Sequence, residues 1–301
     1  MTGYRTYAGF SGIELAMPEY DLGEGLRLRR TYAHLMAPFL MAFAPPGPGG
    51  YHPAPWSAAR GGFGFDIHVE LEVPSGIEQH DLVWLIAALI RVGYAPYAIV
   101  PVVADRPFAE IPTSKSEPDL RPLEIRSRIF RATERSLARL GETELGWVRR
   151  VWPSTARLMA ANGKFASAFR AFDSGTITGK TSAMLLALWA AIEQIFAPSP
   201  GELRFRVASA LASYLEPPGS ERLALYRRIL KLYDQRSLAA HTAKDVDKSA
   251  LIETYVLARN ALVKMIDEGR IPTKEDLEEL VFAPVMPLKP LPEIRACGQM
   301  Q

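Results

Sequence analysis

The chain has 301 residues, 48% of them apolar and 23% charged, with 24 prolines, 22 glycines and one cysteine. This excludes a disordered or collagen-like chain and predicts a soluble globular protein with room for one large or two ordinary domains. Thirty-five basic residues against 33 acidic ones give a net charge of +2, too small a field to imply a polyanionic partner by itself.

The N-terminus, Met1 to Phe10, lacks the basic stretch and apolar core of a secretory signal. The longest apolar runs, Leu82 to Ile90 and Met184 to Ala191, are short of the ~20 residues that span a bilayer. A lone Cys297 allows no intrachain disulfide, and no Cys/His cluster has zinc spacing. A reducing, cytoplasmic setting with no membrane contact is the expectation.

In chain order, the first third reads as strands, turns and one helix. Pro45 to Gly50 form a breaker cluster, and His52, Pro53, Pro55 and Trp56 continue an irregular segment. From Phe63 the pattern alternates, with Ile67, Val69 and Leu71 on one strand face and Asp66, His68 and Glu70 on the other. Three such side chains could share a cation, but a flat face rarely converges on one, so this face is expected to be solvated. His34, His52 and His80 have no partner at ligand or triad spacing. Asp81 to Val92 predicts a buried helix closed by Gly93, and Tyr97 to Val103 a strand. Pro107 to Pro122 reads as an exposed connection, with a domain boundary just after it.

From Glu124 onward the period is helical. Ser127 to Trp152 and Ser154 to Phe172 predict paired helices, with Arg126, Arg128, Arg131, Arg135, Arg139, Arg149, Arg150 and Arg157 making a basic face. Gly175 to Thr181 resembles a phosphate loop only loosely. Three residues separate its glycines where four are needed, and no strand precedes it, so it reads as an interhelical turn. Lys180 to Phe196 is apolar nearly all round and predicts a central helix. Ser199, Pro200 and Glu202 mark the start of a helix from Pro200 to Leu215. Pro217, Pro218 and Gly219 stop it, and Ser220 opens another that runs to His241. After a polar loop, Lys248 to Glu268 predicts a long helix ended by Gly269, then Thr273 and Asp276 begin a short one. The predicted fold class is α+β: a mixed strand and helix domain over 1–123, an all-helical domain over 124–284, and a Pro-rich tail over 285–301.

The chemistry is concentrated in Tyr233 to His241. Ser237 and His241 lie four apart on one helix face, and Arg236 has the reach to meet His241 at a common anion. Cleaving a phosphodiester with a neighbouring hydroxyl needs a group that titrates near neutrality and a fixed cation for charge developing on the phosphate. His241 and Arg236 are of those types, and a helix C-terminus favours the protonated imidazole. Glu193 sits midway along the apolar helix and needs a polar partner, for which Arg206 is the nearest sequence candidate.

Leu188 to Phe196, Glu202 to Ala208, Glu221-Arg222 and Tyr233 to His241 together resemble the Apea-like branch of the HEPN superfamily, over roughly Lys180 to Ile266. The signature is an Arg followed four to six residues later by His, and Arg236 and His241 match it. The resemblance implies a helical bundle that dimerises through its helical part, placing two Arg/His motifs in one cleft. It implies a metal-independent endoribonuclease without cofactor, acting on RNA in a toxin or antiviral-defence setting beside an antitoxin or defence partner. Arg236 would hold the scissile phosphate, His241 would move the proton and Ser237 would bond the phosphate or orient His241, supported by Tyr233, Glu193 and Arg206. The sequence departs from the pattern at Ser237, where many active members carry Asn, Asp or His, and at Thr242, where the branch often has Gly. A non-catalytic module that binds RNA or a partner protein is the alternative. Residues 1–120 resemble no family.

Overall fold

A computed structural model of the chain describes residues 5–37, 40–58, 63–75, 79–124, 137–177, 180–197, 202–241 and 246–282. The chain is an α+β protein. In order it forms β1 (Thr6–Ser11), β2 (Ile13–Leu15), β3 (Glu19–Gly23), β4 (Leu26–Ala37), β5 (Leu40–Ala42), β6 (Trp56–Ala58), β7 (Phe63–Val73), α1 (Gln79–Gly93), β8 (Ile99–Ala104), β9 (Leu120–Pro122) and β10 (Ala138–Leu140). The helices α2 (Glu142–Ala161), α3 (Gly163–Gly175), α4 (Thr181–Phe196), α5 (Leu203–Leu215), α6 (Ser220–His241), α7 (Lys248–Glu268) and α8 (Lys274–Phe282) follow.

Six strands make one antiparallel sheet in the order β3-β4-β7-β1-β8-β9. The hairpin between β3 and β4 closes through Glu24 and Gly25, both at positive φ (50° and 82°), the demand of a two-residue hairpin turn. β2 pairs with β10 in parallel, and β5 with β6 antiparallel. One sheet face, including Phe10, Leu28, Val69 and Leu71, packs with α1 and is continuous with the core of the helices. The other face carries a small cluster of Tyr7, Ile67, Val102, Ala104 and Phe108. Gly9 allows it, because a Cβ there would lie 2.9 Å from Ile67 and 3.0 Å from Phe108.

The strand alternation predicted from Phe63 therefore breaks at one point. Ile67 belongs to the small cluster, whereas Val69 and Leu71 belong to the main core. The change of face coincides with a register shift in β4 between Arg30 and Ala33, opposite this stretch of β7. Nor is the Asp66, His68, Glu70 face simply solvated. Glu70 is buried and accepts the Phe108 N–H at 3.0 Å, because a 3-10 turn over Phe108–Thr113 folds onto the sheet. The expected connection from Pro107 to Pro122 thus holds that turn and β9.

Among the helices, α1, α4, α6, α7 and α8 lie where the sequence places them. Residues 125–136 of the predicted Ser127–Trp152 helix lie outside the described residues, and Ala138–Leu140 is strand. α2 begins at Glu142 and runs through Pro153, and the break comes at Asn162. The buried stripe Leu145, Val148, Val151, Trp152 and Thr155 keeps its register on both sides of the proline, whereas the Asn162 side chain accepts the Phe165 N–H at 3.0 Å and starts α3. α5 starts at Leu203 with Glu202 at φ 44°, later than the expected Pro200. Ser199 and Pro200, the turn residues 178–179, and the tail after Phe282 lie outside the described residues.

The sheet and the helices are joined by buried polar contacts. Arg91 of α1 grips Asp173 of α3 through Nε to Oδ1 at 2.8 Å and Nη2 to Oδ2 at 2.7 Å. Trp84 Nε1 donates to the same carboxylate at 3.0 Å, and Arg91 Nη1 reaches Glu124 at 3.2 Å. Trp152 Nε1 donates to the Leu22 carbonyl at 2.8 Å. Arg259 of α7 donates to the last carbonyls of α1, Val92 at 2.7 Å and Gly93 at 2.5 Å.

Candidate functional site

The site is built where α6 crosses α4. Most large apolar residues of α4, Met184, Leu185, Leu188, Trp189, Ile192, Ile195 and Phe196, are buried within the chain. Its outward stripe is small and apolar, with Ala183 and Ala190 exposed and Leu186 and Ala187 half-buried. Tyr233 of α6 is buried edge-on against Trp189, ring centroids 5.0 Å apart at 79°.

One turn further, Arg236 lies with its guanidinium carbon 5.6 Å from the Tyr233 ring centroid. Its Nη2 donates to Glu193 Oε2 at 3.3 Å and its Nε lies 3.2 Å from Oε1. The two side chains are 28% and 19% exposed, so bulk solvent screens this pair less than a surface one. The Nε–H is not aimed at Oε1, and among the described residues Arg236 Nε, Glu193 Oε1 and Trp189 Nε1 are buried without a hydrogen bond. Arg236 Nε and Glu193 Oε1, 3.2 Å apart, form a locally under-satisfied polar pair, whose groups favour a further hydrogen-bonding partner. Burial first, and the Glu193 carboxylate second, hold the Tyr233 phenol above its ordinary range. The Glu193 carboxylate lies on the Nε/Nη2 side of the guanidinium.

Glu193 is thus paired with Arg236, and the Glu193–Arg206 pair expected from sequence is not formed. Arg206 is exposed on α5 and lines a cavity of about 440 Å³ with Phe205, Leu277 and Phe282 of α5 and α8. Beside the site, Arg204 fastens α5 to α6 through both oxygens of Asp234, at 2.7 and 2.8 Å.

Ser237 is half-buried, and His241 is exposed as the last residue of α6. Five residues of helix separate Arg236 from His241 by about 7.5 Å along the axis and about 140° around it. The two side chains therefore leave α6 on widely separated faces.

Elsewhere, Asp66, His68 and Glu70 do not converge. Asp66 is exposed, Glu70 is buried under Phe108, and among the described residues no three His, Cys, Asp or Glu side chains are placed to hold a metal ion. His34, expected to be without a partner, bonds Asp66 through Nδ1 at 2.8 Å, and this hydrogen bond holds the Asp66 carboxyl below its usual range. The β4–β7 register pairs these two residues across the strands, which spacing in the sequence cannot reveal. His52 bonds the Ala44 carbonyl at 2.8 Å. Of the arginine face, Arg126, Arg128, Arg131 and Arg135 lie outside the described residues, and Arg150 pairs with Asp267 at 3.0 Å.

No family model matches the chain, and no curated protein or solved structure matches it.

Proposed function

We propose that the helical part is a HEPN-type, metal-independent endoribonuclease whose site is Arg236 and His241 on the last turns of α6. The supporting observation is Arg236 itself: a guanidinium fastened by Glu193 and Tyr233, five residues before a solvent-exposed histidine at a helix C-terminus. In this reading the free edge of Arg236 takes a phosphate oxygen, and Ser237, on the His241 face, supplies a hydrogen bond. His241 assists removal of the 2′-hydroxyl proton. The 2′-oxygen, already adjacent and held at high effective concentration, attacks phosphorus as the P–O5′ bond breaks, and the 5′-oxygen takes up a proton from water. The products are a 2′,3′-cyclic phosphate and a 5′-hydroxyl. A homodimer through the helical part, with outward Leu238, Ile252 and Val256 as its apolar contacts, would bring two such motifs together. An antitoxin or defence-system partner belongs to the same proposal.

The test is incubation of wild type and His241→Ala with total RNA and mapping of new 5′ ends. Wild type should generate 5′-hydroxyl ends in the presence of EDTA, a 2′-deoxy substitution at the cut position should block cleavage, and His241→Ala should abolish it with an unchanged melting temperature. DNA cleavage or 5′-phosphate ends would sink the mechanism. RNA binding without any cleavage, weakened by His241→Ala, would favour the non-catalytic module, to which Ser237 at the departed position points.

A further inference from the structure

The cavity of about 440 Å³ between α5 and α8 is a groove with aromatic walls. Lys274 and Phe282, the first and last residues of α8, both line it, so it runs the ~12 Å length of that helix. Phe196 forms part of its lining, and Phe205 and Phe282 stand at it 50% and 76% exposed. Tyr226 of α6 backs Phe205 edge-on, ring centroids 6.2 Å apart at 79°. The Arg222 guanidinium donates to the Leu280 carbonyl at 2.9 Å, which pins the last turn of α8 and the point where the chain leaves it. That point lies at one end of the groove.

Residues 283–301 follow α8, and their sequence has a period of three. Pro284, Pro287 and Pro290 form one set, and Val285, Leu288, Leu291 and Ile294 another. A polyproline II helix has three residues per turn, so in that form each set lines one face. Proline-rich segments of this kind dock on aromatic-lined grooves, because they give up little entropy on binding. We propose that the groove between α5 and α8 seats the chain's own segment Pro287–Leu291, folded back over Phe205 and Phe282 as a polyproline II strap.

Three features select that occupant. The first is length. At ~3.1 Å per residue Pro287 to Leu291 spans ~12 Å, the length of the groove, and Ala283 to Met286 give the chain a short loop in which to reverse direction. The second is tethering, since a segment that starts at the groove meets it at an effective concentration in the millimolar range, above that of a partner that must diffuse to it. The third is charge. Glu202 and Arg206 are exposed at the groove, and the segment brings the opposite signs in Lys289 and, just beyond it, Glu293. Lys274 and Glu278 pair with each other at 3.6 Å, so the groove offers no excess of cations to a nucleic-acid backbone.

The experiment is fluorescence anisotropy with a labelled peptide of residues 283–295, titrated into three forms of the full chain. These are wild type, the strap variant Leu288→Asp with Leu291→Asp, and the strap variant with Phe205→Asp added, each with its fold certified by its melting temperature. In wild type the tethered segment competes with the peptide, so the strap variant should bind the peptide at least about tenfold more tightly, and Phe205→Asp should abolish that gain. A nitroxide on Cys297, the single cysteine, gives a second readout that needs no groove variant. Its electron paramagnetic resonance lines should be broader in wild type than in the strap variant, and unchanged from ~1 to ~100 μM because the contact lies within one chain. Equal peptide affinity in wild type and strap variant, or no binding to either, overturns the proposal. So does tight binding that survives Phe205→Asp, which would put the peptide elsewhere. Line broadening that appears only as concentration rises overturns it too, and would assign the groove to the segment of a second copy.

Discussion

Arg236 is shared between two demands. Its partner Glu193 fixes the guanidinium, and in the proposed function a phosphate takes the edge that remains. Glu193→Gln keeps the size and one acceptor but removes the charge, loosening the aim of Arg236 more than its presence. It should therefore lower kcat for RNA cleavage about tenfold while leaving KM within about twofold, the pattern of an orienting neighbour. Steady-state kinetics on a defined RNA checks it, and an unchanged kcat would remove Glu193 from the site. A second residue carries a pH signature. Burial raises the Glu70 carboxyl above its ordinary range, with Glu72 and Glu110 acting the same way and Arg29 and the Phe108 N–H opposing them. An acid raised in the folded state favours folding when protonated, and that contribution is lost as pH rises through its folded value. Glu70→Gln should then melt higher than wild type at pH 7.5, the difference shrinking as pH falls toward 4.5; thermal melts across that range test it. The Arg236/His241 spacing was legible because it lies within one helix. The Glu193 partner was not, since the pairing depends on how α6 crosses α4, and a four-residue step (Trp189, Glu193) facing a three-residue step (Tyr233, Arg236) is the one signal that could have found it.

At the scale of elements, the boundary between α2 and α3 is set by a cap and not by the proline. Asn162 accepts the Phe165 N–H, satisfying one of the donors that a helix start leaves open. Asn162→Ala should cost about 1 kcal/mol in urea unfolding without changing the m-value, whereas Asn162→Gly should cost only a few tenths. The long helices were readable from their 3.6-residue period and their Gly or Pro stops, as at Gly269, which sits at φ 65°. β10 was not, because Ala138–Leu140 takes its strand form from pairing with β2, more than a hundred residues away. For the same reason the 3-10 turn at Phe108 was hidden: its burial depends on the glycine at position 9.

On the scale of the molecule, the sheet and the helices share one apolar core and a buried ionic cluster. Asp173 receives Arg91 on both oxygens and Trp84 on one. Removing it leaves a guanidinium buried without that partner, so Asp173→Ala should destabilise the chain by about 3–5 kcal/mol. Far-UV and near-UV circular dichroism in denaturant should fall together at the lower midpoint, since the lost contact joins both halves. Separate transitions, with only one of them shifted, would show that the halves unfold independently.

The Arg259 guanidinium on the Val92 and Gly93 carbonyls has a consequence for synthesis. The end of α1 is closed by a side chain translated 166 residues later, and Asp173, which neutralises Arg91, also comes well after it. Until Asp173 and Arg259 are made, α1 carries an arginine with only Glu124 as a carboxylate partner, and open carbonyls, on a face meant for burial. The end of α1 is closed only once α7 has left the exit tunnel, so the nascent chain carries unfinished, adhesive surface for most of its translation.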